Sequence, residues 1–256
     1  MTDPVQQAAQ RIIANMKKAY SGPLTYRDVR EEDFRHLDLK AFAAFQAQHE
    51  ARGFRHLRDV EIAEISDSPT TLIARTFIRS MVSADGSIVA DYYQVKPRMG
   101  RLLRLTLRGL MNGRWLDTPR FFFKTLKTRH CTGYESELSN EHFITTSNAE
   151  TAGKISLPST IDCQFHAYDT VPAVLALQHV KRLKASLAAQ ADVQARPVRT
   201  TEDLMQMQMR LKQQKDAHRA TLNWVTESEL KDMSSGNPKL AEAIYFEVQR
   251  QLQAES

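Results

Sequence analysis

Cysteine, glycine and long apolar runs are scarce in this chain of 256 residues. It has two cysteines, nine glycines and nine prolines. Cys131 and Cys163 are too few for a disulfide framework, which points to reduced thiols in a cytoplasmic-type protein. No window approaches the roughly 20 apolar residues of a spanning helix. The start, Met1-Thr2-Asp3-Pro4, lacks the basic and then apolar stretches of a signal peptide, so none is expected. A membrane role is therefore expected to be peripheral. No G-x-x-x-x-G-K-[ST], G-x-G-x-x-G or G-x-S-x-G occurs, which removes the common nucleotide loops and the hydrolase elbow. Eight histidines include no H-E-x-x-H. The pairs His130-Cys131 and Cys163/His166 fit no common zinc spacing. No metal or cofactor is expected, and neither cysteine has the flanking motif of a nucleophile.

What is present is a globular composition, 42% hydrophobic and 25% charged, long enough for one or two domains. Helical spacing appears over residues 3–20, where Asp3 can cap and Pro4 fits the first turn. It appears again over 32–52, with Phe34, Leu37, Ala41, Ala44 and Phe45 on one stripe. Residues 60–65, 72–82 and 88–95 are rich in β-branched and aromatic side chains. Asp85-Gly86 marks a hairpin with a type I′ turn. It pairs Val82 with Val89, Ser80 with Asp91, Ile78 with Tyr93 and Thr76 with Val95. A second hairpin over 132–147 turns near Asn140-Glu141 and pairs Leu138 with Phe143, Glu137 with Ile144 and Ser136 with Thr145. Glu135 and Glu137 then share a face, with cross-strand pairing to Arg75 or Arg79 as their plain structural role.

The pattern returns to helix over 171–189, capped by Asp169 or Thr170, with Val174, Leu177, Val180, Leu183 and Leu187 on one face. Further helices follow Thr200 or Thr201, the capping-box pattern Thr226-Glu227-Ser228-Glu229, and Asn237-Pro238. The last carries Leu240, Ile244 and Val248 on one stripe. Helices, then antiparallel strands, then helices make the expected class α+β. The expected division is a core domain over 1–195 and a helical C-terminal subdomain or tail over 196–256.

Charge is the uneven feature. The formal total is +5, yet residues 96–129 hold ten cations against the single anion Asp117. That segment is +9 and the remainder −4. Over 100–110, Leu102, Leu103, Leu107 and Leu110 lie opposite Arg101, Arg104 and Arg108 on a helical wheel, while Leu103, Leu105 and Leu107 also alternate as in a strand. A helix of this kind can lie in a bilayer interface. Trp115 and Phe121 to Phe123 would add apolar anchors, and Lys124 and Lys127 more charge. The first expectation is a non-enzymatic interaction protein whose segment 100–129 meets anionic headgroups or an acidic protein. The binding residues are then Arg101, Arg104, Arg108, Trp115, Lys124 and Lys127. Ordinary packing of the leucines against the chain's own core is the competing reading. Nucleic acid has no motif in its favour. The alternative function is an enzyme or binder with an anionic-ligand pocket built from Arg75, Arg79, Tyr92, Glu135 and Glu137. Met205, Met207 and Met209 mark a helix that could dock a partner.

Overall fold

The computed structural model describes residues 3–20, 22, 24–68, 71–111, 122, 125–150, 155–233 and 237–255. Among them, seven strands form one sheet in chain order: β1 (Tyr26–Asp28), β2 (Arg55–Ile62), β3 (Ile78–Val82), β4 (Val89–Val95), β5 (Arg129–Glu137), β6 (Phe143–Ser147) and β7 (Ile161–Phe165). All neighbours run antiparallel except the parallel pair β6 and β7. Among the described residues eight α-helices accompany them: α1 (Pro4–Tyr20), α2 (Leu39–Glu50), α3 (Ala63–Ser66), α4 (Met99–Met111), α5 (Pro172–Ala189), α6 (Thr201–Thr221), α7 (Glu227–Met233) and α8 (Pro238–Glu255). The α+β class stands.

The first hairpin has the expected register at Val82–Val89, Ser80–Asp91 and Ile78–Tyr93, but its turn differs. Ser83 N–H donates to Ile88 O and Gly86 N–H to Ser83 O. Only Gly86 has positive φ, at +79°, so the turn is not type I′. A four-residue loop centred on the same bond preserves the register. Glycine is required there on a second ground: a Cβ on Gly86 would lie 2.8 Å from the Val198 carbonyl oxygen.

The second hairpin is shifted by one residue, pairing Glu137 with Phe143, Ser136 with Ile144 and Glu135 with Thr145. Glu141 sits at φ 64°, and Leu138 N–H donates to His142 O. The loop therefore has three residues, with a left-handed last position. Other boundaries differ too. Asp38 caps α2 through Ala41 N–H, so this helix starts later than expected, after a 3₁₀ turn at Glu31–Phe34. Residues 63–66 are helical, and the Glu64 carboxylate there accepts from Thr25 N–H. The α5 N-terminus has no side-chain cap. Its buried residues are Leu175, His179 and Leu183, while Val174 and Leu177 are exposed. On α8, Leu240 is exposed and Ala241 takes the buried position.

Both sheet faces are covered. Phe77, Met81, Ala90, Tyr92 and Tyr134 pack with Phe34, Phe42, Phe45, Leu175 and Leu183. Val82, Val89, Phe143 and Ile161 pack on the other side with Leu204, Met207 and Leu211 of α6. The sheet core thus includes residues beyond 195. A third cluster joins α1 to α7 and α8 through Ala9, Ile13, Leu230, Ala241 and Val248.

Capping boxes open α6, at Thr200 with Asp203, and α7, at Thr226 with Glu229. Glu229 also holds Arg219 through two bonds of 2.9 and 2.6 Å, and Arg219 donates to Ser156 O. Burial by itself would raise the Glu229 carboxyl, but the Arg219 guanidinium and two backbone donors outweigh it and hold the pKa below the usual range.

Arg219→Ala leaves Glu229 buried without its partner and is expected to cost about 3–5 kcal/mol. Thr200→Ala removes a cap and is expected to cost about 1 kcal/mol. Urea unfolding of the two variants checks the difference, and comparable losses would contradict it.

Candidate functional sites: an exposed basic helix and a carboxyl-lined cavity

Residues 99–111 form a helix rather than a strand. Leu102 is fully buried and Thr106 is half-buried, so these positions mark the inward side. Leu103 is 48%, Leu107 61% and Met111 86% exposed, and Met99 and Leu105 are exposed as well. Met99, Leu103, Leu107 and Met111 follow i, i+4 spacing along one outward stripe. Arg104 and Arg108 are exposed beside it and Arg101 is half-buried. None of the three arginines makes an ion pair among the described residues. Arg98 anchors the helix start by donating to the Ser66 and Ser68 carbonyls. Lys127 is exposed. Trp115, Lys124, Phe121 and Phe123 lie outside the described residues, as does the side chain of Leu110.

The five residues of the alternative pocket are not brought together. Tyr92 pairs with Arg79 and Thr132, whereas Glu135 pairs with Val89. Alternation therefore sends Arg79 and Tyr92 to one face and Glu135 and Glu137 to the other. Arg75 clasps Glu61 at 3.1 and 3.0 Å. Arg79 clasps Asp59 at 2.9 and 2.6 Å and also reaches Glu31. Tyr92 is buried, and its hydroxyl meets His130 Nδ1 at 2.6 Å. Glu137 is buried between Arg196 and Arg210, each at 2.7 Å. Those arginines, not Arg75 or Arg79, are its partners. Both pocket arginines already bind carboxylates through Nε and Nη2. In the methionine run, Met207 is core, Met205 is half-buried and Met209 is exposed.

No protein-family model, curated protein or solved structure matches this chain. Its chemistry has to be read from its own geometry.

On the α2/α5 face, His49 and His179 are fully buried. His49 Nδ1 lies 2.8 Å from Phe45 O and so must donate, and Nε2 lies 2.8 Å from the Tyr134 hydroxyl oxygen, which also lies 3.1 Å from Pro172 O. Ser136 Oγ donates to Ser87 O at 2.7 Å and lies 3.0 Å from His179 Nε2. With its proton committed to that carbonyl, Ser136 accepts from the histidine, and the pair is not a nucleophile with its base. Burial, then the Arg182 charge, lowers His179 to about 3. Burial likewise pushes the Cys131 and Cys163 thiols up, to about 11 and about 12, so neither is activated. No group of three or more potential metal ligands occurs among the described residues.

The other face holds a cavity of about 390 Å³ between the sheet and α6, lined by Tyr26, Arg58, Ser80, Asp91, Tyr93, Glu135, Gln208 and Lys215 among others. A further space of about 240 Å³ shares Asp91, Tyr93, Glu135 and Lys215 and adds Thr145 and Cys163. Asp91 Oδ1 accepts from the Ser80 hydroxyl at 2.5 Å, and Glu135 Oε2 from the Gln208 amide at 2.8 Å. Arg58 is held by Asp28. Protein atoms surround Asp91, and solvent reaches it only in part. Desolvation, then the neighbouring Glu135 charge, pushes its carboxyl up to about 7. The sequence reading passed over Asp91, although its place as a lone acid between Val89, Tyr93 and Val95 on an inward strand face was a usable signal.

The unfolded chain gives up this proton near pH 4, while the native protein keeps it to about 7. Native binding of the extra proton means that Asp91 lowers stability as pH rises through this window, and no further above it. Asp91→Asn is therefore expected to gain melting temperature over the parent from pH 5 to pH 8, by about 3 °C or more. Scanning calorimetry across that range checks the sign. A parent–variant difference that is flat or shrinking would refute the assignment.

Proposed function

We propose that this chain is an interaction protein that docks on an anionic membrane surface through α4 and the basic residues around it. The observation that carries the reading is the exposure of Leu103, Leu107 and Met111 beside Arg104 and Arg108. In a bilayer interface the apolar stripe sinks below the phosphates and the guanidinium groups stay at headgroup level. Each cation near such a surface contributes about 1 kcal/mol, so the contact is weak, reversible and sensitive to salt. Trp115, Lys124 and Lys127 extend the same chemistry beyond the helix. No helix among the described residues is long and apolar enough to cross a membrane, which fits a peripheral contact. The basic and apolar groups together favour lipid over an acidic protein, which would use the charges and leave the leucines wet.

Co-sedimentation with vesicles of phosphatidylcholine, with and without phosphatidylserine, tests this. The full chain is expected to bind only the serine-containing vesicles and to release with salt. The triple variant Arg101→Glu, Arg104→Glu, Arg108→Glu is expected to bind at least about tenfold more weakly. Binding unaffected by charge reversal, or no binding to anionic vesicles, refutes the membrane reading. Capture by an acidic polypeptide but not by vesicles would assign the surface to protein instead.

A further inference from the structure

The fully buried acids among the described residues are each held by arginine. The buried carboxylates Glu61, Glu137 and Glu229 are clasped by Arg75, by Arg196 and Arg210, and by Arg219. Asp59 is clasped by Arg79. Asp91 and Glu135, both half-buried, have no arginine partner among the described residues. They stand diagonally on adjacent strands of one face, since Val89 pairs with Glu135 and Asp91 with Gly133. Their hydrogen bonds come from neutral groups, the Ser80 hydroxyl and the Gln208 amide. Lys215 and Arg58 line the same cavity, but neither forms an ion pair with them. Two half-buried carboxyl groups with no ion-pair partner among the described residues repel each other and are poorly solvated.

A second observation does not involve charge. Thr145 pairs with Glu135 across β5 and β6 and lines the adjoining space of about 240 Å³, which shares Asp91 and Glu135. It is 9% exposed, and among the described residues its buried Oγ1 has no hydrogen-bond partner. An orphaned hydroxyl of this kind is rare in native structures. The cavity thus presents two carboxyl groups, with the Thr145 hydroxyl next to Glu135 in the adjoining space. Its walls are apolar, formed by Val60, Ile62, Ile78, Val95 and Leu204.

We infer that this cavity binds a small organic molecule bearing a protonated amine on an apolar body, with the ammonium group seated among Asp91, Glu135 and Thr145. An ammonium group has three donors and no acceptor, and these residues supply three acceptors. The apolar body lies along the strand side chains and Leu204. Helix α4 lines neither part of the cavity, so this inference is independent of the membrane reading.

Titration calorimetry of the full chain near neutral pH, with 2-phenylethylamine and hexylamine against their isosteres 2-phenylethanol and hexanol, tests it. At least one amine is expected to bind saturably and about tenfold or more tightly than its alcohol. Asp91→Asn and Glu135→Gln are each expected to remove that preference, while Glu202→Gln, at an exposed site on α6, leaves it unchanged. Alcohols that bind as well as amines, or no saturable binding of either amine up to about 10 mM, overturn the inference. So does an amine preference that survives both cavity variants. The amine–alcohol comparison on the unmodified chain decides the matter even where a variant fails to fold.

Discussion

Helices cover both faces of the seven-stranded sheet, so polar side chains projecting inward from its strands must be matched within the protein. Arginine meets most of that demand. Asp59 and Glu61 on β2 receive Arg79 and Arg75, and Glu137 at the end of β5 receives Arg196 and Arg210. A guanidinium suits these positions because it grips both carboxylate oxygens and lays its plane on aromatic rings. Arg75 lies 5.1 Å from the Phe34 ring centroid, and Arg79 lies 5.7 and 5.6 Å from those of Phe42 and Phe77. The ion pairs and the aromatic core of that face are therefore one packed unit. His49 and His179 obey the same rule in neutral form, each ring nitrogen having a partner.

This constraint sorts the cations. Those at the ends of the basic segment work internally: Lys96 donates to His36 O, Arg98 to Ser66 and Ser68 carbonyls, and Arg129 lies 4.4 Å from the Tyr168 ring centroid. Arg101, Arg104 and Arg108 lie between these anchors on α4 and carry no such obligation among the described residues. The chain thus tethers the helix start with one arginine and leaves the following ones to solvent. Leucines on the same outward side are what internal packing does not explain, because a helix stabilised only by its own core turns its apolar stripe inward. Here Leu102 alone among the described leucines of α4 does so.

The sequence made the order of elements legible, and much of the pairing, for identifiable reasons. The β3–β4 register was readable because two- and four-residue loops about Asp85-Gly86 share one symmetry point, so a wrong turn type still gave the right partners. The β5–β6 register was not, because it depends on Glu141, a non-glycine residue, taking a left-handed conformation that side-chain type does not announce. On α5, three consecutive apolar positions at helical spacing outweighed His179 in the sequence pattern, yet the histidine is buried because Ser136 and Thr146 supply its partners from the sheet. Those partners are over 30 residues away and invisible to periodicity. The pocket built on Arg75, Arg79, Tyr92, Glu135 and Glu137 failed on parity. Which face a strand residue takes is set by its pairing with the next hairpin, and the sequence did not fix that pairing. The exposure of α4 was also beyond reach, since the same leucine spacing serves a core or a surface.

Asp91 and Glu135 are where local rules and global packing disagree. Valine and tyrosine flank Asp91 on its strand face, and valine lies opposite Glu135, so apolar residues at both positions would continue the surface without the cost of enclosed charge. The Ser80 and Gln208 bonds orient these carboxyl groups but do not neutralise them. Where the protein needs an internal acid for architecture it supplies arginine, as at Glu61, Glu137 and Glu229. At this pair it supplies neutral donors and keeps an open volume above them. Positions that break a sequence's own rule without structural compensation are where function is expected. The ammonium group we infer there follows from the packing of the sheet rather than from any motif.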